Sequence, residues 1–279
     1  AIEASMNEHA IQMDARNAAY STRDYNSMAS NLAGRQTLQG KPLTAYERAF
    51  IGHIASFDTY KLDYGYRLLA ASGGGAITMS TLAAALNYYV PRATVVDATT
   101  GASTNVDNRF QTITVSSTTN VRAGDAFTVA TMEALHHITK TGTGQLKTFR
   151  VMSVPSSTTL VISPPMITAQ GATDAELQYQ NVVINTPAAN SALVWLNTVT
   201  NYANPFWQKD AMEILPGRLA IPTDAGTAVI RSTTKQGVEL VMQKFYDINT
   251  QKTKYRVDTY YGVVNKQPEM SGMQQFSQT

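Results

Sequence analysis

The chain has 279 residues, 43% of them hydrophobic and 15% charged, with a formal net charge of +2 and no cysteine. That length buries a sizeable core in one large domain or two. The missing cysteines exclude disulfides, thiolate nucleophiles and cysteine-ligated metals, and the near-neutral charge without a basic stripe argues against a dedicated nucleic-acid binder.

The charged fraction lies well under the roughly 25% of ordinary globular domains. Thr, Ser, Asn and Gln fill the gap. Such a surface loses little solvation when another protein covers it, which favours extensive protein contacts. Apolar runs such as "MSTLAAALNYYV" are too short to span a bilayer, and no signal peptide is visible. The opening "AIEASMNEHAIQMD" lacks an initiating Met and starts in a helical pattern, as a chain cut from something longer would.

From Ala1 to Ala71 the spacing favours helix. Ile2, Met6 and Met13 recur at roughly helical intervals, and "LTAYERAFIGHIASFDTYKL" puts Tyr46, Phe50, Ile54 and Phe57 on one side. Thr44 and Glu47 make a capping-box pattern at its start. "SGGG", Ser72 to Gly75, is costly to order and reads as a hinge.

Between about Ala93 and Ile184 the chain turns Thr-, Val- and Ser-rich, with short alternating runs. Ile113 and Val115, Phe127 and Val129, Phe149 and Val151, and Leu160 and Ile162 each share a face, which predicts a small β-barrel or sandwich. The stretch from Asn105 to Val129 reads as two strands joined by a turn. The tail predicts two longer strands, "GVELVMQKFYDI" and "KYRVDTYYGVV", joined by "NTQKT".

The residues offer little chemistry. Adjacent His136 and His137 point opposite ways on a strand, so no metal site is expected. No nucleophile elbow, P-loop or dinucleotide fingerprint occurs, and no cofactor or catalytic residue is expected. Asp58, Asp63, Asp107 and Asp125 sit where turns and helix ends need carboxylates. Phe206 and Trp207 in "NPFWQKD" read as anchors where two domains join, since aromatics dominate core energetics. Tyr260 and Tyr261 fall in a strand suited to burial on one side and subunit contact on the other.

"TNVDNRF", "NPFW…DAMEIL" and "YYGVVNKQPE" resemble the coat proteins of short-tailed double-stranded DNA bacteriophages, of the Salmonella-type podoviral kind. The matching residues are Val106, Asp107, Asn108, Arg109 and Phe110, then Gly124 and Asp125. Phe206, Trp207, Asp210 and Ala211 follow, and the last block is Tyr261, Gly262, Val263, Asn265, Pro268 and Glu269.

The resemblance implies an α+β tailed-phage major capsid protein fold, with axial and peripheral domains and an inserted small β-barrel. On that pattern 1–75 is a mainly helical first axial segment, 76–202 the insert, 203–250 the axial return and 251–279 a peripheral strand and tail. The family's N-terminal arm, extended loop and spine helix are expected to precede Ala1.

The implied function is self-assembly through many weak contacts into an icosahedral shell of hexamers and pentamers around double-stranded DNA. The implied partners are further copies, scaffolding and portal proteins and non-specifically held genome, with no membrane. The implied location is the virion, after assembly in the host bacterial cytoplasm. Asp107, Arg109, Arg122 and Asp125 are the candidate contacts, within the insert or between subunits. Two competing readings are a carbohydrate- or surface-binding β module of a tail or decoration protein, leaning on Trp195 or Trp207, and a hydrolase using His53 or His137.

Overall fold

The computed structural model describes residues 2–34, 51–71, 77–80, 92–168, 174–183, 190–221 and 228–276. The expected capping box at Thr44 and Glu47, and the glycine hinge at Ser72 to Gly75, lie outside them. Among the described residues the chain is mostly β with few helices: α1 (Ile2–Glu8), α2 (Thr22–Ala33) and α3 (Asp174–Tyr179). It divides into two compact units, Ala1–Gln208 with Pro268–Thr279, and Lys209–Gln267.

Among its described residues the first unit holds two six-stranded sheets and one two-stranded ribbon. One is built from β1 (Arg16–Ser21), β2 (His53–Ile54), β3 (Phe57–Leu62), β4 (Arg67–Leu68), β13 (Asn201–Gln208) and β19 (Ser271–Gln275). Its order is β19-β13-β1-β3-β2, with β4 also pairing β13. The central strand β1 runs antiparallel to β13 and parallel to β3. Met6, Ile11, Tyr20, Tyr25, Ile51 and Phe57 form the core beneath it. α2 is started by Ser21, whose hydroxyl accepts from the Asp24 N–H, so one free donor of the first turn is satisfied.

The helix expected over "LTAYERAFIGHIASFDTYKL" is corrected where it is described: His53–Ile54 and Phe57–Leu62 are strands. Ile54 and Phe57 face each other across a hairpin whose two loop residues, Ala55 and Ser56, both take positive φ, 48° and 63°. Such a turn matches the twist of the strands it joins, but it normally announces itself with Asn-Gly. Here Ala-Ser fills it, and the i, i+3 spacing of Ile54 and Phe57 imitates a helix. β1, "RNAAYS", was unforeseen because its small and polar residues gain strand character only from neighbours on both sides.

The second sheet is the barrel. Its strands are β5 (Thr78–Met79), β8 (Gln111–Thr114), β9 (Ala126–Leu135), β10 (Gly142–Ser153), β11 (Thr159–Ser163) and β12 (Ser191–Trp195), in the order β5-β12-β9-β10-β11-β8. Bridging of Met79 to Val115 brings the two ends together, so the sheet nearly closes. All eight residues expected to share inward faces are buried in one core with Ile77, Met132, Met166, Val182 and Leu193. The two strands read in Asn105–Val129 are β8 and β9. They are not partners, since β8 pairs with β11 and β9 with β10 and β12. Beside the barrel, β6 (Arg92–Val96) and β7 (Ser103–Asp107) form a separate two-stranded ribbon.

The second unit contains the ribbon of β14 (Met212–Pro216) with β18 (Tyr261–Asn265), and a three-stranded sheet of β15 (Ala228–Thr233), β16 (Glu239–Asp247) and β17 (Lys252–Thr259). The two long tail strands are therefore present as β16 and β17, but the second ends at Thr259 and Tyr261 starts a strand that pairs elsewhere. Because β16 and β17 are hairpin partners, the expected division at residue 250 cuts a sheet, and the tail beyond Pro268 returns to the first unit through β19.

Candidate functional site

Three places concentrate polar groups or uncovered apolar surface: the root of the barrel, the loop around Arg109, and the β15–β17 sheet.

At the root the chain enters the barrel near Leu69–Ala71 and leaves near Asn197. The Asn197 amide donates to Leu69 O at 3.0 Å and to Asp125 Oδ1 at 2.9 Å, while its own Oδ1 accepts from the Ala126 N–H at 3.1 Å. Its backbone carbonyl takes the Ala71 N–H at 2.7 Å. Asn197 is fully buried, so each of these bonds replaces water that cannot reach it. Asp125, expected among the surface contacts, is 2% exposed and completes the turn by accepting from the Arg122 N–H at 2.9 Å. The root holds two distant chain segments in place without chemistry. A single Asn gave no sequence signal for it.

A second buried network links the flanks. Asn204 Oδ1 accepts from Ser21 N at 2.7 Å, and its Nδ2 donates to Asp24 Oδ2 at 2.8 Å. Arg16, 1% exposed, donates to the carbonyls of Ile11 at 2.5 Å and Gln12 at 2.8 Å and lies 5.9 Å from the centre of the Phe57 ring.

Asp107 and Arg109 meet in the loop between β7 and β8. Arg109 Nε donates to both carboxylate oxygens, at 2.8 and 3.1 Å, and the guanidinium also lies 5.7 Å from the Phe110 ring centre. The hydrogen bond to Asp107 raises the Arg109 pKa further, which favours the charged guanidinium. Arg122 is exposed. Among the expected contacts, then, the chain joins Asp107 to Arg109 directly and Arg122 to Asp125 through its backbone.

Phe206 packs edge-on to Phe57 at 6.4 Å, and Trp207 stands opposite Asn17 and Ser271 on neighbouring strands. Both lie at the end of β13, just before the second unit starts at Lys209. Trp195 packs edge-on to Phe127 at 5.6 Å, at the margin of the barrel core. That placement does not favour it as an open sugar platform. His53 and Asp58 approach to 3.0 Å on the β2–β3 hairpin with both side chains more than half exposed.

The β15–β17 sheet is two-faced. Alternation and register put Ile230, Leu240, Met242, Tyr246, Tyr255 and Val257 on one side. The other side carries the ion pairs Arg231–Glu239, Lys254–Asp247 and Arg256–Asp258. All six apolar residues are exposed, Val257 by 65%. Within this unit only Ala211 and Val241 are buried among the described hydrophobic residues. Tyr260 and Tyr261 are exposed as well, by 62% and 53%.

An uncovered apolar face on a thin sheet is what a subunit of a larger assembly carries. The decisive finding is a match over residues 1–277 to the family model described as P22 coat protein, gene protein 5. The chain belongs to the P22 coat protein family. A solved structure, the CUS-3 coat protein I-domain, is 36% identical over 44% of this chain and 96% of its own, with a TM-score of 0.30. As a coat protein the chain has a structural role: it is a major capsid protein, it assembles with copies of itself, and its place is the virion capsid. No helix among the described residues is long and apolar enough to cross a membrane.

Proposed function

We propose that this coat protein builds an icosahedral shell of hexamers and pentamers around double-stranded DNA, through many contacts that are each weak. What carries the reading is the β15–β17 face, where six exposed apolar side chains share one side with Lys244, while the opposite side carries the ion pairs and the buried Val241. Fully burying one such aliphatic side chain contributes about 1.5–3 kcal/mol, so a partly covered patch suffices for a contact of about millimolar strength, near 4 kcal/mol. Several such contacts closing together hold a particle through effective concentration, without any strong pair.

In this proposal 76–202 is the inserted barrel domain of the family, 1–75 and 203–250 belong to the axial domain and 251–279 to the peripheral one. The Asn197 root supports the insert, because both of its chain crossings are tied at one residue. Asp107, Arg109 and Arg122 form its contact surface toward a neighbouring subunit, with Asp125 shaping the turn. Phe206 and Trp207 anchor the junction, and Tyr260 and Tyr261 contact a neighbour. Scaffolding and portal proteins are the assembly partners in the host cytoplasm, and the packaged genome is held without sequence preference.

Sedimentation and electron microscopy of the purified chain, mixed with its scaffold, test the proposal. Shells of uniform size support it. Discrete monomers at all concentrations, or an assembly without closed shells, would reject it.

A further inference from the structure

We propose that the uncovered side of the β15–β17 sheet is filled by the β14–β18 ribbon of a neighbouring copy, in a head-to-tail contact that every copy makes once with each of the two faces. This rests on the shell reading above and names the surface that completes its contact.

The ribbon is two-sided like the sheet. Its register sets Met212, Ile214 and Pro216 of β14 on the same side as Tyr261 and Val263 of β18. All five are exposed. Glu213, paired with Lys266 at 3.1 Å, lies on the other side with Leu215 and the half-buried Val264. The C-terminal unit therefore carries two bare apolar faces on two thin sheets, and only Ala211 and Val241 are buried among its described hydrophobic residues. Because the chain is a coat protein, the occupant present in every particle is another copy.

The faces suit each other. Ile230, Met242 and Val257 stand directly opposite one another across the three strands of the sheet, and Ile214 stands opposite Val263 in the ribbon. Stacked antiparallel sheets interdigitate such rows at a separation of about 10 Å. To one side of the sheet's row lies Lys244, its ammonium 5.9 Å from the centre of the Tyr255 ring, and to the other lies Leu240 opposite Thr259. An apolar centre between polar ends is how protein interfaces are built. Three strands of six or more residues make a face about 14 Å wide and about 20 Å long, and the ribbon, about 10 Å wide, fits within it. Such a contact falls well short of the about 800 Å² that each partner of a stable pair gives up, so an isolated pair stays weak.

Symmetry selects the pairing. Two sheet faces meeting across a two-fold axis would cover each other and leave both ribbons bare. A head-to-tail contact leaves neither face bare once a ring closes, and the angle between copies, not the chemistry of the faces, sets the ring size. One pair of faces thus serves rings of different size.

The chain has no cysteine, so introduced thiols report the contact without background. Particles assembled with the scaffold from an equal mixture of Met242→Cys and Val263→Cys chains are treated with a short bifunctional maleimide and run on a denaturing gel. Linked dimers are expected to be several-fold more abundant in the mixture than in particles of either variant alone. Tyr255→Cys, on the same side of the sheet, replaces Met242→Cys where that chain does not assemble, and should link as well. Linked dimers in particles of Met242→Cys alone would mean that sheet faces meet each other. Particles without linked dimers in any variant would mean that something else covers the sheet. Either result overturns the pairing and leaves the shell standing. Failure of the unsubstituted chain to form particles overturns the shell reading, and the pairing with it.

Discussion

Asn197 illustrates how much of this structure rests on single buried amides. Its side chain reaches partners 72 and 128 positions away, so nothing local in the sequence marks it. Asn197→Ala strands the Ala126 N–H and the Leu69 carbonyl in a dry site, and denaturant unfolding should show a loss of about 2–4 kcal/mol. Asn197→Asp, which cannot donate to Asp125, should do no better. Asp107 and Arg109 form the opposite case. They were legible as candidate contacts in a turn of the insert, and the chain pairs them locally. Such a pair is worth under about 1 kcal/mol. Arg109→Ala should therefore barely move the melting temperature of the chain; if it nevertheless slows assembly, measured by light scattering, the guanidinium acts between subunits. Equal effects on melting and on assembly would make it internal.

Legibility at the scale of elements followed local geometry. Alternation announced the barrel strands because period-2 burial repeats within a few residues, and each expected inward face is buried. The pairing order was not legible. Which strands become neighbours depends on contacts across the barrel, and β8 and β9 look like a hairpin in sequence while standing apart in the sheet. β1 was hidden for a related reason: Ala18 and Ala19 carry no strand signal and are buried by β3 and β13. The β13–β19 pair adds a packing constraint, since Gly272 faces Phe206 across the strands and a Cβ there would run into the Phe206 ring. Gly272→Ala should cost about 1–3 kcal/mol in thermal or urea unfolding through overpacking. Adding Phe206→Leu should recover part of that loss. An unchanged midpoint in the single variant would mean that β19 shifts freely on β13.

The whole molecule joins a well-filled barrel, a second core under the β1 sheet, and a C-terminal unit with almost no interior among its described residues. The family was legible from three short blocks, none of them catalytic. The two-faced β15–β17 sheet was only half legible, as strands without a stated inner side, because register decides which residues share a face. Replacing Ile230 and Val257 with Asp puts charge on that face without touching a buried residue. Barrel protection in hydrogen exchange should persist while particle yield falls sharply.

If the chain assembles as proposed, a partner covers this sheet face in the particle. Hydrogen exchange or side-chain labelling of Tyr255, compared between free chain and purified particles, measures it directly. Strong protection of Tyr255 in particles and ready labelling in the free chain are expected. Equal labelling in both states would contradict it.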